Sequence, residues 1–185
     1  EGGCKLSLEI SGPFADKLPF QNNNLVMKAA ILLADSIGIK PDVSMCLTKN
    51  LPVTSGIGGG SVDAAAALLI LCQHWDHSPP PKLLFQIAKE LGADVPVCLF
   101  GRASFVSGIG DEITPAPILP KSWLVLVNPG IPLSTPQIFS CYSSIFSKPA
   151  PFKKAPKNIS EFAALLTERS NDLTNAAIAE AWKIV

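Results

Sequence analysis

Apolar residues recur along this chain at two different periods, and the switches between them outline its elements. Lys5 to Ile10 alternates, with Leu6, Leu8 and Ile10 on one side, and Val43 to Leu47 alternates in the same way, so both read as half-buried strands. Between them Leu25, Ala29, Leu32 and Leu33 recur at helical spacing, which predicts a helix starting on Asn24 as N-cap and stopping at Gly38. Pro41 then forces an extended exit. Residues 64 to 72 are apolar nearly all round, the pattern of a helix covered by neighbours on several faces.

Proline and glycine punctuate the rest. After Pro79 to Pro81 a further helix is expected, with Leu83, Leu84, Ile87, Ala88 and Leu91 as one stripe and Gly92 as its end. A turn at Ala93-Asp94-Val95-Pro96 follows. Val97 to Phe100 and Ala103 to Val106 then read as a hairpin around Gly101, before a loop from Ser107 to Asp111. Pro115, Pro117 and Pro120 mark a domain boundary, beyond which Trp123 to Val127 reads as an apolar strand leading into the turn Asn128-Pro129-Gly130. The proline-rich stretch from Ser147 to Lys157 reads as a surface excursion. A helical run from Asn175 continues to Val185, so the chain reads as part of something longer.

Composition narrows the class. With 185 residues, 48% of them hydrophobic, the chain can bury a substantial core, and disorder is excluded as its main state. Fifteen basic residues balance fifteen acidic ones, which leaves no general electrostatic grip for nucleic acid or an anionic membrane. Any anionic ligand must therefore be held locally. The five cysteines, Cys4, Cys46, Cys72, Cys98 and Cys141, form no CxxC pair, which fits a reducing, cytoplasmic setting. No stretch reaches the length of a membrane span, and no basic-then-apolar leader opens the chain.

The strongest chemical signal is the run Ser55-Gly-Ile-Gly-Gly-Gly-Ser61, which places four glycines among seven residues directly before a helix. Backbone amides there can approach an anion without Cβ obstruction, the helix start adds positive potential, and Ser55 and Ser61 offer hydroxyls. A polyphosphate suits such a cradle. No Lys-Ser or Lys-Thr follows the glycines, so the loop is not a Walker A motif, and Pro52 interrupts the direct strand entry that a dinucleotide fold needs. A glycine-rich turn that merely caps a core helix is the other reading. Asp94, in Gly92-Ala-Asp-Val-Pro96, is held where a helix stops and a proline stiffens the exit, a setting for a general base or, alternatively, for a simple turn or cap. His74 and His77 lack further ligands at suitable spacing and read as helix-end residues. Lys148, Lys153, Lys154 and Lys157 read as a solvated loop.

Leu51 to Ala66 resembles the second signature of the GHMP kinases. Leu91-Gly-Ala-Asp-Val-Pro-Val97, Gly101-Arg-Ala, Gly108-Ile-Gly110, Pro129-Gly130 and Ser134-Thr-Pro-Gln-Ile-Phe139 extend the resemblance over about residues 24 to 172. The branch resembled uses ATP and Mg2+ to phosphorylate the 2-hydroxyl of a cytidine-diphosphate-linked methylerythritol in the non-mevalonate isoprenoid route. The resemblance implies an α+β, two-domain GHMP-kinase fold, with an ATP-binding half like ribosomal protein S5 domain 2 over residues 1–114. A ferredoxin-like, substrate-side half would start at 115 and run, truncated, to 185. By the same resemblance Asp94 is the catalytic base. Asn24 and Lys49 lie near adenine and ribose, and Ser55, Gly56, Gly58, Gly59, Gly60 and Ser61 surround the phosphates. Thr135, Pro136 and Phe139 meet the cytidine side, with Phe139 stacking on the base; a core Phe ending a helical turn is the alternative for that residue.

The loop reads Ser61-Val-Asp63 where some members show Ser-Ser-Asn, so the metal ligands stay open, with Ser61 a candidate. The family's N-terminal strand with its catalytic lysine, and its C-terminal glycine-rich segment, have no counterpart in this chain, and these residues alone are expected to catalyse poorly. Homoserine or mevalonate kinase activity, or a nonenzymatic nucleotide-binding module, are the competing readings.

Overall fold

A computed structural model, which describes residues 5–18, 24–53, 56–127, 130–131 and 133–182, sets strand β1 (Leu6–Ser11) parallel to β2 (Val43–Thr48). Leu6 stands opposite Val43, Leu8 opposite Met45 and Ile10 opposite Leu47, so the apolar sides of both strands face the same way. Parallel neighbours need a crossover, and helix α1 (Leu25–Ile37) supplies it. Its ends are set locally. Asn24 Oδ1 accepts the Val26 amide at 2.9 Å, and Gly38, left-handed at φ 72°, closes the last turn.

Three more helices complete the first unit: α2 (Gly59–His74), α3 (Pro81–Leu91) and α4 (Val95–Phe100). α2 packs against α1, α3 and α4, and its Ala64, Ala65, Leu68 and Leu71 join Ala29, Ala30 and Leu33 of α1 in the core. Alanines on facing sides let the helix axes approach closely, while Leu33 and Leu68 fill the space between. Strands β3 (Ser104–Ser107) and β4 (Glu112–Pro115) form an antiparallel hairpin.

The structure corrects several sequence expectations. Val97 to Phe100 is helical rather than a strand, because Pro96 sits in the first turn, where a missing N–H costs nothing, and the segment packs on α2 and α3. The hairpin is accordingly displaced: the second strand of the expected pair becomes the first of the real one. The turn expected over residues 93 to 96 is confined to Ala93 and Asp94. α2 is not covered all round, since Val62, Ala66, Leu69 and Ile70 are exposed. Gly92 ends α3 as expected, in extended backbone.

The chain divides into two compact units, Glu1–Pro115 and Ala116–Val185. In the second, α5 (Thr135–Cys141) packs against α7 (Thr174–Trp182), and α6 (Ile159–Thr167) lies between them in sequence. Gln137 Nε2 donates to Glu180 Oε2 at 2.7 Å across the α5 and α7 contact. Trp123 to Val127 forms no strand and is exposed; an apolar run becomes a strand only beside a ladder partner, and none pairs with it among the described residues. The Ser147 to Lys157 stretch is irregular, with Phe152 edge-on to Phe162 and under the Arg169 guanidinium. Asn128 and Pro129 of the expected turn lie outside the described residues. Among the described residues no helix is long and apolar enough to cross a membrane.

Candidate functional site

The chain leaves β2 at Thr48 and enters α2 at Gly59, and the segment between them forms a cleft of about 270 Å³. Lys49, Val53, Gly56, Gly58, Gly59, Gly60 and Ser61 line it, with Leu18 and Leu25 as an apolar wall. Gly56 and Gly58 are left-handed, at φ 74° and 70°, which allows the loop to fold back over the helix start. Gly58 is the N-cap and has no side chain to offer the first-turn amides of Gly59, Gly60 and Ser61. The sixteen-residue helix behind them directs its positive end into the cleft. Here the expected phosphate residues are brought together. Ser55 lies outside the described residues.

Lys49 is buried beneath this loop. Its Nζ lies 2.6 Å from Asp63 Oδ2, and a Cβ on Gly59 would stand 3.4 Å from the same nitrogen. Its backbone is held as well, the amide donating to the Ser11 carbonyl at 2.7 Å. Asn24 is also buried, but its side-chain oxygen is engaged in capping α1. Sequence reasoning noticed Asp63 only as a departure from the Ser-Ser-Asn of some family members and missed its pairing with Lys49. A lysine ending a strand and an acid in the second turn of the helix after a glycine loop was the available signal.

Asp94 ends the three-residue junction, Gly92 to Asp94, between α3 and α4. It is exposed and its side chain makes no cap bond, while the next two residues, Val95 and Pro96, are fully buried. The Asp94 carbonyl accepts the Cys98 amide at 3.3 Å. Burial first, and the Asp94 charge second, push the Cys98 thiol above its ordinary pKa. α4 packs on α2, so the element that Asp94 opens rests on the helix that the glycine loop opens. In the second unit Thr135 and Pro136 form the exposed first turn of α5, and Phe139 is half exposed on it, so Phe139 is not a core residue. His74 and His77 are exposed, and no cluster of three or more His, Cys, Asp or Glu suited to a metal occurs among the described residues.

A separate, mostly apolar groove of about 350 Å³ runs between β2 and the open face of α2, lined by Val43, Met45, Leu47, Ala66 and Ile70. The anion chemistry is assigned instead to the smaller glycine cleft.

A glycine loop opening a helix beside a buried lysine, with an acidic junction on the helix packed next to it, has a counterpart in a known class: residues 24–102 match the family model for the GHMP kinases N terminal domain. Within that class the similarity is to one kind of enzyme. Over 94% of its length the chain is 47% identical to a 4-diphosphocytidyl-2-C-methyl-D-erythritol kinase of Paramagnetospirillum magneticum, and over 93% it is 45% identical to that of Rhodospirillum rubrum. A crystal structure of 4-(cytidine 5'-diphospho)-2C-methyl-D-erythritol kinase superimposes on 94% of the chain with a TM-score of 0.59 at 27% identity. The chain spans 60% and 57% of the two relatives' own lengths and 62% of the solved one.

Proposed function

We propose that the protein transfers the γ-phosphoryl group of ATP to the 2-hydroxyl of 4-diphosphocytidyl-2-C-methyl-D-erythritol, a step of the non-mevalonate isoprenoid route. The observation that carries this is the glycine cleft over Lys49, in a chain similar along nearly its whole length to kinases of that name. In this reading residues 1–114 are the nucleotide-binding half and 115–185 begin the substrate-side half. The free thiols of Cys46, Cys72, Cys98 and Cys141 fit a cytoplasmic, reducing setting.

The amides of Gly59, Gly60 and Ser61, with the Ser61 hydroxyl, hold phosphate oxygens, and the α2 dipole favours their charge. Lys49 and Asn24 border the adenine and ribose. Asp94 accepts the proton of the 2-hydroxyl as its oxygen attacks the γ-phosphorus, and the bond from that phosphorus to the bridging oxygen of ADP breaks. Mg2+ neutralises charge on the triphosphate when bound. Asp63 is already paired with Lys49, so the side chains here do not form a dedicated carboxylate cage; they fit an ion carried in by the phosphates, with Ser61 the candidate donor. Phe139, half exposed on α5, stacks on the cytosine, with Thr135 and Pro136 beside it.

Phosphoryl transfer from ATP by the full-length protein, measured with the cytidine-linked substrate, homoserine and mevalonate in parallel, tests the reading. Turnover is expected only with the first. Asp94→Asn is expected to lower kcat by about a hundredfold or more while sparing ATP affinity. Activity confined to homoserine or mevalonate, or ATP binding without any turnover, would overturn the assignment.

A further inference from the structure

The Gly108-Ile-Gly110 motif has no role in the chemistry just described, yet the structure lays it against the Asp94 junction. Gly110, at φ 98°, approaches so closely that a Cβ there would overlap the Ala93 carbonyl oxygen and stand 2.9 Å from the carbonyl carbon. Ala93 is the residue immediately before Asp94. The loop is also tied to the helix that leads into the junction: Asp111 Oδ2 accepts from Lys89 Nζ at 2.9 Å, and Lys89 lies in the last turn of α3. Asp111 Oδ1 accepts the Ile109 amide at 3.2 Å, and the Gly110 amide donates to the Ser107 carbonyl at 3.2 Å, so the loop is folded upon itself.

Taking Asp94 as the base, as proposed above, we propose that the Gly108 to Asp111 loop is a positioning device for its carboxylate. Asp94 makes no side-chain cap bond, so its placement comes from the backbone. On the C-terminal side Val95 and Pro96 are sunk in the core; on the N-terminal side Gly110 presses on Ala93, and the Lys89 and Asp111 pair keeps the loop there. Gly110, Asp111 and Lys89 touch no reacting atom. They act through the peptide that carries Asp94, and an error of about 1 Å in a base is worth roughly a hundredfold in rate.

Steady-state kinetics with ATP and the cytidine-linked substrate, alongside melting curves, test this with the unsubstituted protein as reference. Gly110→Ala must displace the Ala93 carbonyl and is expected to lower kcat about a hundredfold, with KM for ATP changed by less than about twofold. Should Gly110→Ala fail to fold, Asp111→Ala decides: it breaks a largely exposed pair, so the melting temperature moves little while kcat falls about tenfold. Asp111→Asn is expected to recover part of that loss, since its amide oxygen can still accept from the Ile109 amide although the Oδ2 acceptor for Lys89 is lost. In an Asp94→Asn background neither loop substitution is expected to cost more than about twofold further. Folded loop variants with unchanged kcat, or losses that simply multiply with Asp94→Asn, would overturn the positioning role alone. An Asp94→Asn protein with full turnover would instead overturn the reading of Asp94 on which it rests.

Discussion

Lys49 Nζ lies 2.6 Å from Asp63 Oδ2, and this pair joins the two ends of the glycine loop, one residue following β2 and the other in the second turn of α2. Lys49 is only 5% exposed, and that carboxylate is its counter-ion. Asp63→Ala leaves an ammonium buried without its counter-ion and is expected to cost roughly 2–3 kcal/mol, somewhat less than for a fully buried pair because Asp63 is partly exposed. Urea denaturation of the single and double variants checks this. Lys49→Met combined with Asp63→Ala should recover most of the lost stability, because no unpaired charge then remains. If the double variant is as unstable as the sum of the singles, the pair is not what matters at this position.

The difference between α1 and α4 shows what the sequence could reveal. α1 was legible to the residue, because Asn24 and Gly38 act through bonds within a few positions of themselves. α4 was not: Val97, Cys98, Leu99 and Phe100 are apolar and partly β-favouring, and packing on α2 and α3 overrode that preference. Trp123 to Val127 carried a strand pattern, but a strand exists only with a partner, which no local pattern guarantees. For the site, the glycine cradle was readable because it is contiguous. The Lys49 and Asp63 pair and the approach of Gly110 to Ala93 join positions 14 and 17 apart, and only the folded chain brings them together.

Leu68 and Leu69 are adjacent on α2 but face opposite environments, since Leu68 is fully buried against α1 and Leu69 is exposed. Leu68→Ala should therefore cost about 2–5 kcal/mol, through lost transfer energy and the cavity left beside Leu33. Leu69→Ala in the same chain should cost less than about 1 kcal/mol. Comparable losses for both, measured by denaturant midpoints, would mean that the open face of α2 is covered in solution.

Asp111 carries a pH dependence whose sign follows from its partners. The hydrogen bond from Lys89, and then that from the Ile109 amide, hold its carboxyl below the ordinary value of 3.8. A carboxyl lowered on folding adds stability above its unfolded pKa, and that increment is lost as pH falls through the lowered folded value. Asp111→Asn cannot ionise. The melting temperature of Asp111→Asn should thus trail the parent by a small, constant amount from about pH 5 to pH 8, and the gap should close below the ordinary carboxylate range. A gap that widens on acidification would contradict the assignment.

Ile138 and Phe139 separate stability from recognition on a single helix. Ile138 is buried in the α5 contact with α7, where Gln137 also reaches Glu180, so Ile138→Ala should destabilise the second unit by about 2–4 kcal/mol. Phe139 is 52% exposed, and truncating it removes little buried surface, so Phe139→Ala should change stability by no more than about 1 kcal/mol. Base stacking on an aromatic face is worth about 1–3 kcal/mol, and if Phe139 supplies that face its loss should raise KM for the cytidine-linked substrate by roughly five- to a hundredfold. Phe139→Tyr, which keeps the ring, should restore KM to within about threefold, and KM for ATP should not move in either variant. Equal KM for the cytidine-linked substrate in the parent and Phe139→Ala would remove Phe139 from the site and return it to the ordinary exposed surface of α5.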